Sequence, residues 1–228
     1  MMPTIALLGD DRGHRSHQEL NALVPRLADE LGVAAAWVPS DSGLDITDYD
    51  GVWLVPGSPY ANDDAVLEGL TVVRSKGIPF IGSCGGMQYA VLEFLRTELE
   101  RDATHAESYG VSEDNAVVAL SCSLYGEERV VTPIKGSRFA TWVSEPFVGM
   151  HFCNYAPSAA TVTLLEEAGV VVGATAPDAG AEVLEFPNHP FYVVSMFQPH
   201  IGASEEKPIH PLIRAFASAV QATVKGVG

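Results

Sequence analysis

Pro79-Phe-Ile-Gly-Ser-Cys-Gly-Gly-Met-Gln88 joins a strand to a helix through a single cysteine. Residues 79–83 form a short apolar run of strand length, and helical spacing takes over from Met87. A strand that ends in Gly-x-Cys-Gly-Gly and passes straight into a helix has the form of a nucleophile elbow, where a sharp, strained turn lifts one side chain above the sheet. Small neighbours are a steric requirement of that turn. The helix would aim its amino end, with its positive partial charge and free N–H groups, at the Cys84 sulfur. The Gly85 N–H would stand ready for an oxyanion. On these residues alone, a buried structural cysteine beside a glycine turn explains the pattern equally well.

On the amino-terminal side of the elbow, strand-length apolar runs at 4–9, 33–38 and 51–56 alternate with helical patterns at 18–31 and 65–76. Each run is bounded by a Gly, Pro or Asp turn signal. The runs are apolar throughout rather than alternating, as expected where helices cover both faces of a mostly parallel sheet. On the carboxyl side, a helix is predicted over 87–99, then a polar segment over 100–115. Short, more exposed antiparallel strands are predicted at 117–121, 129–134 and 139–142. Strands at 170–173, 182–186 and 192–197 and a helix at 211–224 close the chain. The expected architecture is one domain over 1–228, an α/β three-layer sandwich with a mostly parallel central sheet and a small antiparallel elaboration.

The 228 residues are 47% hydrophobic, enough to bury one sizeable core. Acidic residues outnumber basic ones by 29 to 13, a net charge of −16, and no Lys/Arg cluster is present to track a phosphate backbone. Nucleic acid and anionic membranes are therefore not expected partners. Three scattered cysteines make neither a disulfide framework nor the paired spacing of a zinc site. With no basic leader and no apolar run of membrane-spanning length, the chain reads as cytoplasmic and unprocessed.

Several stretches, in order, resemble the class I glutamine amidotransferase domain found at the carboxyl end of CTP synthase. Thr4-Ile-Ala-Leu-Leu-Gly9 resembles its opening strand, Asp50-Gly-Val-Trp-Leu-Val-Pro-Gly57 its third strand and glycine loop, and Ile78 to Gln88 its elbow. Asp102-Ala-Thr-His-Ala-Glu107, Leu165-Glu-Glu-Ala-Gly169, Glu185-Phe-Pro-Asn-His-Pro-Phe-Tyr192 and Pro208-Ile-His-Pro-Leu212 resemble later stretches. The resemblance implies a flavodoxin-like three-layer fold and a cysteine that attacks the side-chain amide of glutamine, giving a thioester and ammonia. It places Cys84 at the nucleophile, Ser58 and Gly85 at the oxyanion hole, and Gly57, Gln88 and Glu107 at the substrate.

The departures are as specific as the matches. Where the family reads Phe-His-Pro-Glu, this chain has Phe197-Gln-Pro-His200, so Gln198 stands at the histidine position and His200 at the glutamate position. Glutamine is no general base near neutral pH, and His200 is the expected substitute, since strand residues two apart share a face. Glu205 and Glu206 are candidate orienting carboxylates. Phe152 occupies the position of an arginine that helps hold the amino acid, a loss of carboxylate anchoring on the order of several kcal/mol. Gly85 replaces a large leucine, which would widen the pocket, and Pro59 restricts the glycine loop.

His14 and His17 follow the first strand and are read as polar loop and helix-start residues rather than metal ligands, with Ser16 as a helix cap. His105 is read as making a surface hydrogen bond, and His189 and His210 as structural. Cys122 and Cys153 lack an elbow and are read as apolar or edge-strand residues. No metal or cofactor is expected. The expected function is a stand-alone cysteine amidohydrolase or acyl-transfer enzyme acting on glutamine or another small amide. Without a synthetase part, the stretch is not expected to aminate UTP unaided. A separate synthetase or acceptor enzyme, or a second copy of the chain, is a candidate partner. The alternatives are a noncatalytic relative that binds a small molecule or partner, and redox or thiol-adduct chemistry at Cys84, for which no resolving cysteine lies nearby in sequence.

Overall fold

The computed structural model describes residues 2–43 and 45–225. In chain order the elements are β1 (Thr4–Leu8), α1 (Arg15–Leu31), β2 (Ala34–Val38), β3 (Gly51–Leu54), α2 (Asp63–Lys76), β4 (Phe80–Ser83) and α3 (Gly85–Thr97). They continue with β5 (Thr104–His105), α4 (Ala106–Tyr109), β6 (Asn115–Pro133), β7 (Phe147–Pro157), α5 (Ala159–Glu167), β8 (Val171–Ala176), β9 (Gly180–Glu185), β10 (Tyr192–Ser195) and α6 (Pro211–Lys225). The strands form one sheet in the order β2-β1-β3-β4-β10-β9-β8-β6-β5, with β7 on β6. Strands β2, β1, β3, β4 and β10 run parallel. From β10 through β9 and β8 to β6 and β7 the pairing is antiparallel.

Period-two alternation divides β1 between two cores. Ala6 and Leu8 pack on one side with Val66, Leu70, Val91 and Leu95 of α2 and α3. Ile5 and Leu7 pack on the other with Leu20, Leu23, Phe216 and Val220 of α1 and α6. Helices thus cover both faces, and the predicted three-layer α/β arrangement is the observed one.

Local chemistry fixes the helix ends. The Asn62 side chain accepts from the Ala65 N–H at the start of α2, with Asp63 and Asp64 in its first turn and Arg74 and Lys76 in its last, all of the sign that the helix dipole favours. Helix α3 is buried from Gly85 through Leu95, so its one buried acid, Glu93, is neutralised by Arg74 at 3.0 Å.

The antiparallel part differs in detail from the sequence expectation. The two strands predicted at 117–121 and 129–134 are one long strand, β6. Its partner β7 and the helix α5 were not foreseen, and residues 139–141, predicted as strand, form one turn of 3-10 helix. The strand predicted over 192–197 stops at Ser195. Among the described residues, no helix is long and apolar enough to cross a membrane.

Candidate active site

The elbow forms because β3, β4 and α3 lie too close for side chains. A Cβ on Gly82 would sit 2.6 Å from the Gly86 carbonyl oxygen, and one on Gly86 would collide with the Leu54 carbonyl. Between them Cys84 takes φ 54° and ψ −111°, a conformation that a non-glycine residue holds only when its surroundings impose it. Its N–H donates to the Ser195 carbonyl at 2.8 Å, and its own carbonyl accepts from Met87 and Gln88 in the first turn of α3. The sulfur stands at the carboxyl end of β4, where open α/β sheets place ligands.

A cavity of ≈ 400 Å³ opens over that sulfur. Its walls come from the loops after β1 and β3, from the start of α3, and from β7. Ser58 and Gly85 abut: a Cβ on Gly85 would lie 3.0 Å from the Ser58 nitrogen. The Ser58 hydroxyl donates to Gln88 Oε1 at 3.1 Å, and Gln88 Nε2 donates to the Tyr155 carbonyl at 2.7 Å. His105 Nδ1 accepts from the Glu107 N–H, which leaves Nε2–H to donate to Gln88 Oε1 at 2.9 Å. Burial pushes His105 down to about 4, so it holds Gln88 as a neutral ring. Glu107 lines the same cavity, its carboxyl raised by burial.

Both the sequence and the fold of this chain resemble those of CTP synthases. In sequence, the chain is 27% identical over 219 residues to the CTP synthase of Rubrobacter xylanophilus, covering 88% of this chain and 40% of that protein. It is 29% identical over 182 residues to the CTP synthase of Pyrobaculum calidifontis, covering 75% and 34%. In structure, it superposes on the Trypanosoma brucei CTPS glutaminase domain with bound acivicin at a TM-score of 0.82, with 21% identity over 96% of this chain and 94% of that one. The chain has the fold of that glutaminase domain. A glutamine amidotransferase of Thermotoga maritima shares the fold at a TM-score of 0.62, with 12% identity over 98% of this chain and 86% of that one. No family model matches. The amidotransferase-like chain spans less than half the length of these CTP synthases.

Against the amidotransferase frame, the position of His200 is a correction. The strand ends at Ser195, and Gln198 and His200 converge on Ser16 rather than on Cys84. His200 Nε2 lies 2.9 Å from Ser16 Oγ, and its ring packs on Trp53. Burial pushes it down to about 3, too weak a base for a thiol at neutral pH. Gln198 does line the cavity, and its Oε1 accepts from the Ser16 hydroxyl at 2.5 Å. Ser16 therefore links Gln198 and His200, and its hydroxyl is used there rather than in the capping bond predicted for it. The cap of α1 is His14, whose Nδ1 accepts from the Ser16 N–H. Glu205 pairs with Lys207 at the surface, away from the cavity lining, and does not orient a histidine.

Both histidines of the first loop line the cavity, with their ring nitrogens already engaged. His17 accepts from the Arg12 N–H and donates to the Pro56 carbonyl, while His14 bonds the Tyr125 hydroxyl at 2.6 Å. Among the described residues, no histidine hydrogen-bonds Cys84.

The space at Gly85 also differs from expectation. It is filled by Ser58, whose Cβ and Oγ would both lie 2.9 Å from a Cβ at position 85, so the pocket is not widened there. Phe152 packs edge-on against His14 and Tyr125, making an aromatic wall. The cation within the cavity lining is Arg12, whose guanidinium donates to the carbonyls of Gly57 and Pro59.

The largest omission of the sequence reading is Cys153. It faces inward from β7, and its sulfur lies 2.7 Å from that of Cys84. Burial alternates over residues 149–153, but the sequence Gly-Met-His-Phe-Cys carries no matching polar alternation, and the partner of Cys153, 69 residues earlier, is set by topology alone.

Proposed function

We propose that this chain is a cysteine-dependent amidohydrolase or acyl-transfer enzyme, with Cys84 as nucleophile and a small amide as substrate. The observation that carries this reading is the elbow itself: Cys84 at φ 54°, at the amino end of α3, with the Ser58 and Gly85 backbones abutting beside it in a cavity. The Cys84 sulfur attacks the amide carbon, and the N–H groups of Ser58 and Gly85 receive the developing oxyanion. Ammonia leaves with the thiol proton, and water then releases the acid from the thioester. Gln88, held by Ser58, Tyr155 and His105, and Glu107 contact the substrate. Glutamine fits less well than a small amide without a carboxylate, because Phe152 presents a ring where a guanidinium would be needed. A separate synthetase or acceptor enzyme would use the ammonia.

A second reading, a noncatalytic pocket that binds a small molecule or a partner, is favoured by one observation. His200 and Gln198 are bonded to Ser16, and neither reaches Cys84.

Ammonia release from glutamine and from a panel of small primary amides tests both. Turnover that is abolished in Cys84→Ala is the expected result, and turnover that survives this change overturns the mechanism. No turnover, together with Cys84 alkylation no faster than that of an ordinary exposed thiol, establishes the binding reading instead.

A further inference from the structure

Cys84 and Cys153 are 6% and 2% exposed, and each sulfur has the other as its nearest hydrogen-bonding neighbour at 2.7 Å. The next contacts are weaker, from Cys84 Sγ to the Phe152 carbonyl at 3.9 Å and from Cys153 Sγ to the Met196 carbonyl at 3.6 Å. The two sulfurs are held in place by backbone on both sides. Cys84 is fixed by the strained turn and by its bond to Ser195, and Cys153 by its ladder position opposite Leu124 on β6. A disulfide needs sulfurs about 2.05 Å apart and side chains that already point at each other. Here the side chains converge, and a small rotation closes the remaining gap. Both residues line the cavity, so a small solute can reach the pair. The third cysteine, Cys122, is exposed and takes no part.

We propose that Cys84 and Cys153 form a redox-active dithiol site, in which a hydroperoxide oxidises Cys84 and Cys153 resolves the product into an intrachain disulfide. In the first step the Cys84 sulfur attacks one peroxide oxygen. The S–O bond forms, the O–O bond breaks, and the thiol proton leaves with the departing hydroxide as water, giving a sulfenic acid when the oxidant is hydrogen peroxide. In the second step the Cys153 sulfur attacks the Cys84 sulfur, the S–S bond forms, and the hydroxyl leaves with the Cys153 proton as a second water. The two cysteines lose two electrons and the peroxide gains them. A small dithiol reverses the change: one of its sulfurs attacks Cys84 and releases Cys153 as a thiol, and its second sulfur then closes on the first and frees Cys84.

The order of events follows from the surroundings. Contact with Cys84 and burial together raise the Cys153 thiol well above its ordinary range, so Cys153 waits as a thiol while Cys84 reacts. The disulfide occupies the sulfur on which the proposed acyl chemistry depends, so the oxidised chain is silent toward amides.

The test uses the full chain carrying Cys122→Ser, reduced and then treated with one equivalent of hydrogen peroxide. Intact mass, alkylation under denaturing conditions and peptide mapping are then read. The expected result is a loss of two hydrogens, no alkylation of either cysteine, a cross-linked peptide pair containing Cys84 and Cys153, and full recovery with dithiothreitol. Dimedone labels Cys84 in Cys153→Ala but not in the parent. Added oxygens on Cys84 with Cys153 still open to alkylation would overturn the proposal, as would equal dimedone labelling in both chains. So would peroxide leaving both thiols intact. The map of the parent chain requires no variant to fold. Because no readout involves ammonia, failure of the amidohydrolase reading and failure of this one are distinguishable.

Discussion

In the parallel part of the sheet, β1, β3, β4 and β10 are covered by helices on both faces and are almost wholly buried. In the antiparallel part, β6 alternates and carries long exposed stretches, with Val130 and its partner Val148 at 53% and 60% exposure. Both parts build the same cavity. The parallel part supplies its floor, namely the elbow, Ser58 and Gln198, whereas β7 supplies the opposite wall, Phe152, Cys153 and Tyr155. The floor carries the elbow, and the wall sets an aromatic ring and a second thiol against it.

Acid titration offers the largest measurable difference between the parts. Burial holds His200 at about 3 and His105 and His210 at about 4, against roughly 6.5 in an unfolded chain. Between pH 6.5 and 4 the unfolded state therefore binds more protons, and stability falls as pH falls, by about 1.4 kcal/mol per pH unit for each proton taken up. Urea denaturation at pH 7, 5, 4 and 3 checks this. Down to about pH 4 both rings stay neutral in the folded chain, so His200→Gln and His105→Gln should flatten the acid limb equally; below it the folded chain protonates His105 first, so there His200→Gln should flatten the limb more, and the reverse result would break the contrast.

A smaller effect is expected where the two parts are joined. Glu182 on β9 accepts from His151 on β7 at 2.9 Å and from the Phe197 N–H after β10 at 3.2 Å, and both side chains of the pair are fully buried. Glu182→Leu strands two buried donors and should cost about 3–5 kcal/mol, read as a drop in the urea midpoint. A loss below about 1 kcal/mol would mean that the junction lies elsewhere. The smallest effect belongs to the exposed hairpin: Val130→Thr should change stability by no more than about 0.5 kcal/mol. A larger destabilisation would show that this face is packed in solution.

What the sequence disclosed follows the same division. Residues 4–9, 51–56 and 79–83 announce buried parallel strands because they are apolar in successive positions rather than alternating, and Gly82-x-Cys84-Gly-Gly announces the elbow because nothing larger fits between α3 and β3. β7 was missed because His151-Phe-Cys-Asn-Tyr155 mixes polar, aromatic and sulfur side chains and carries no turn signal. His200 was misplaced because an ungapped count assumed that β10 continues past Ser195, whereas the chain bends and delivers the ring to Ser16. Contacts such as Ser16 with Gln198, 182 residues apart, or Cys84 with Cys153 are products of topology, and no local pattern encodes them.

The contact between Gly85 and Ser58 bears on how such a pocket changes over time. With Ser58 seated where a Cβ at 85 would go, a larger residue enters position 85 only if residue 58 gives way. The two positions are thus coupled, and the effect of changing one depends on the residue at the other. A mutational library that varies both together reaches pocket shapes that varying position 85 alone does not.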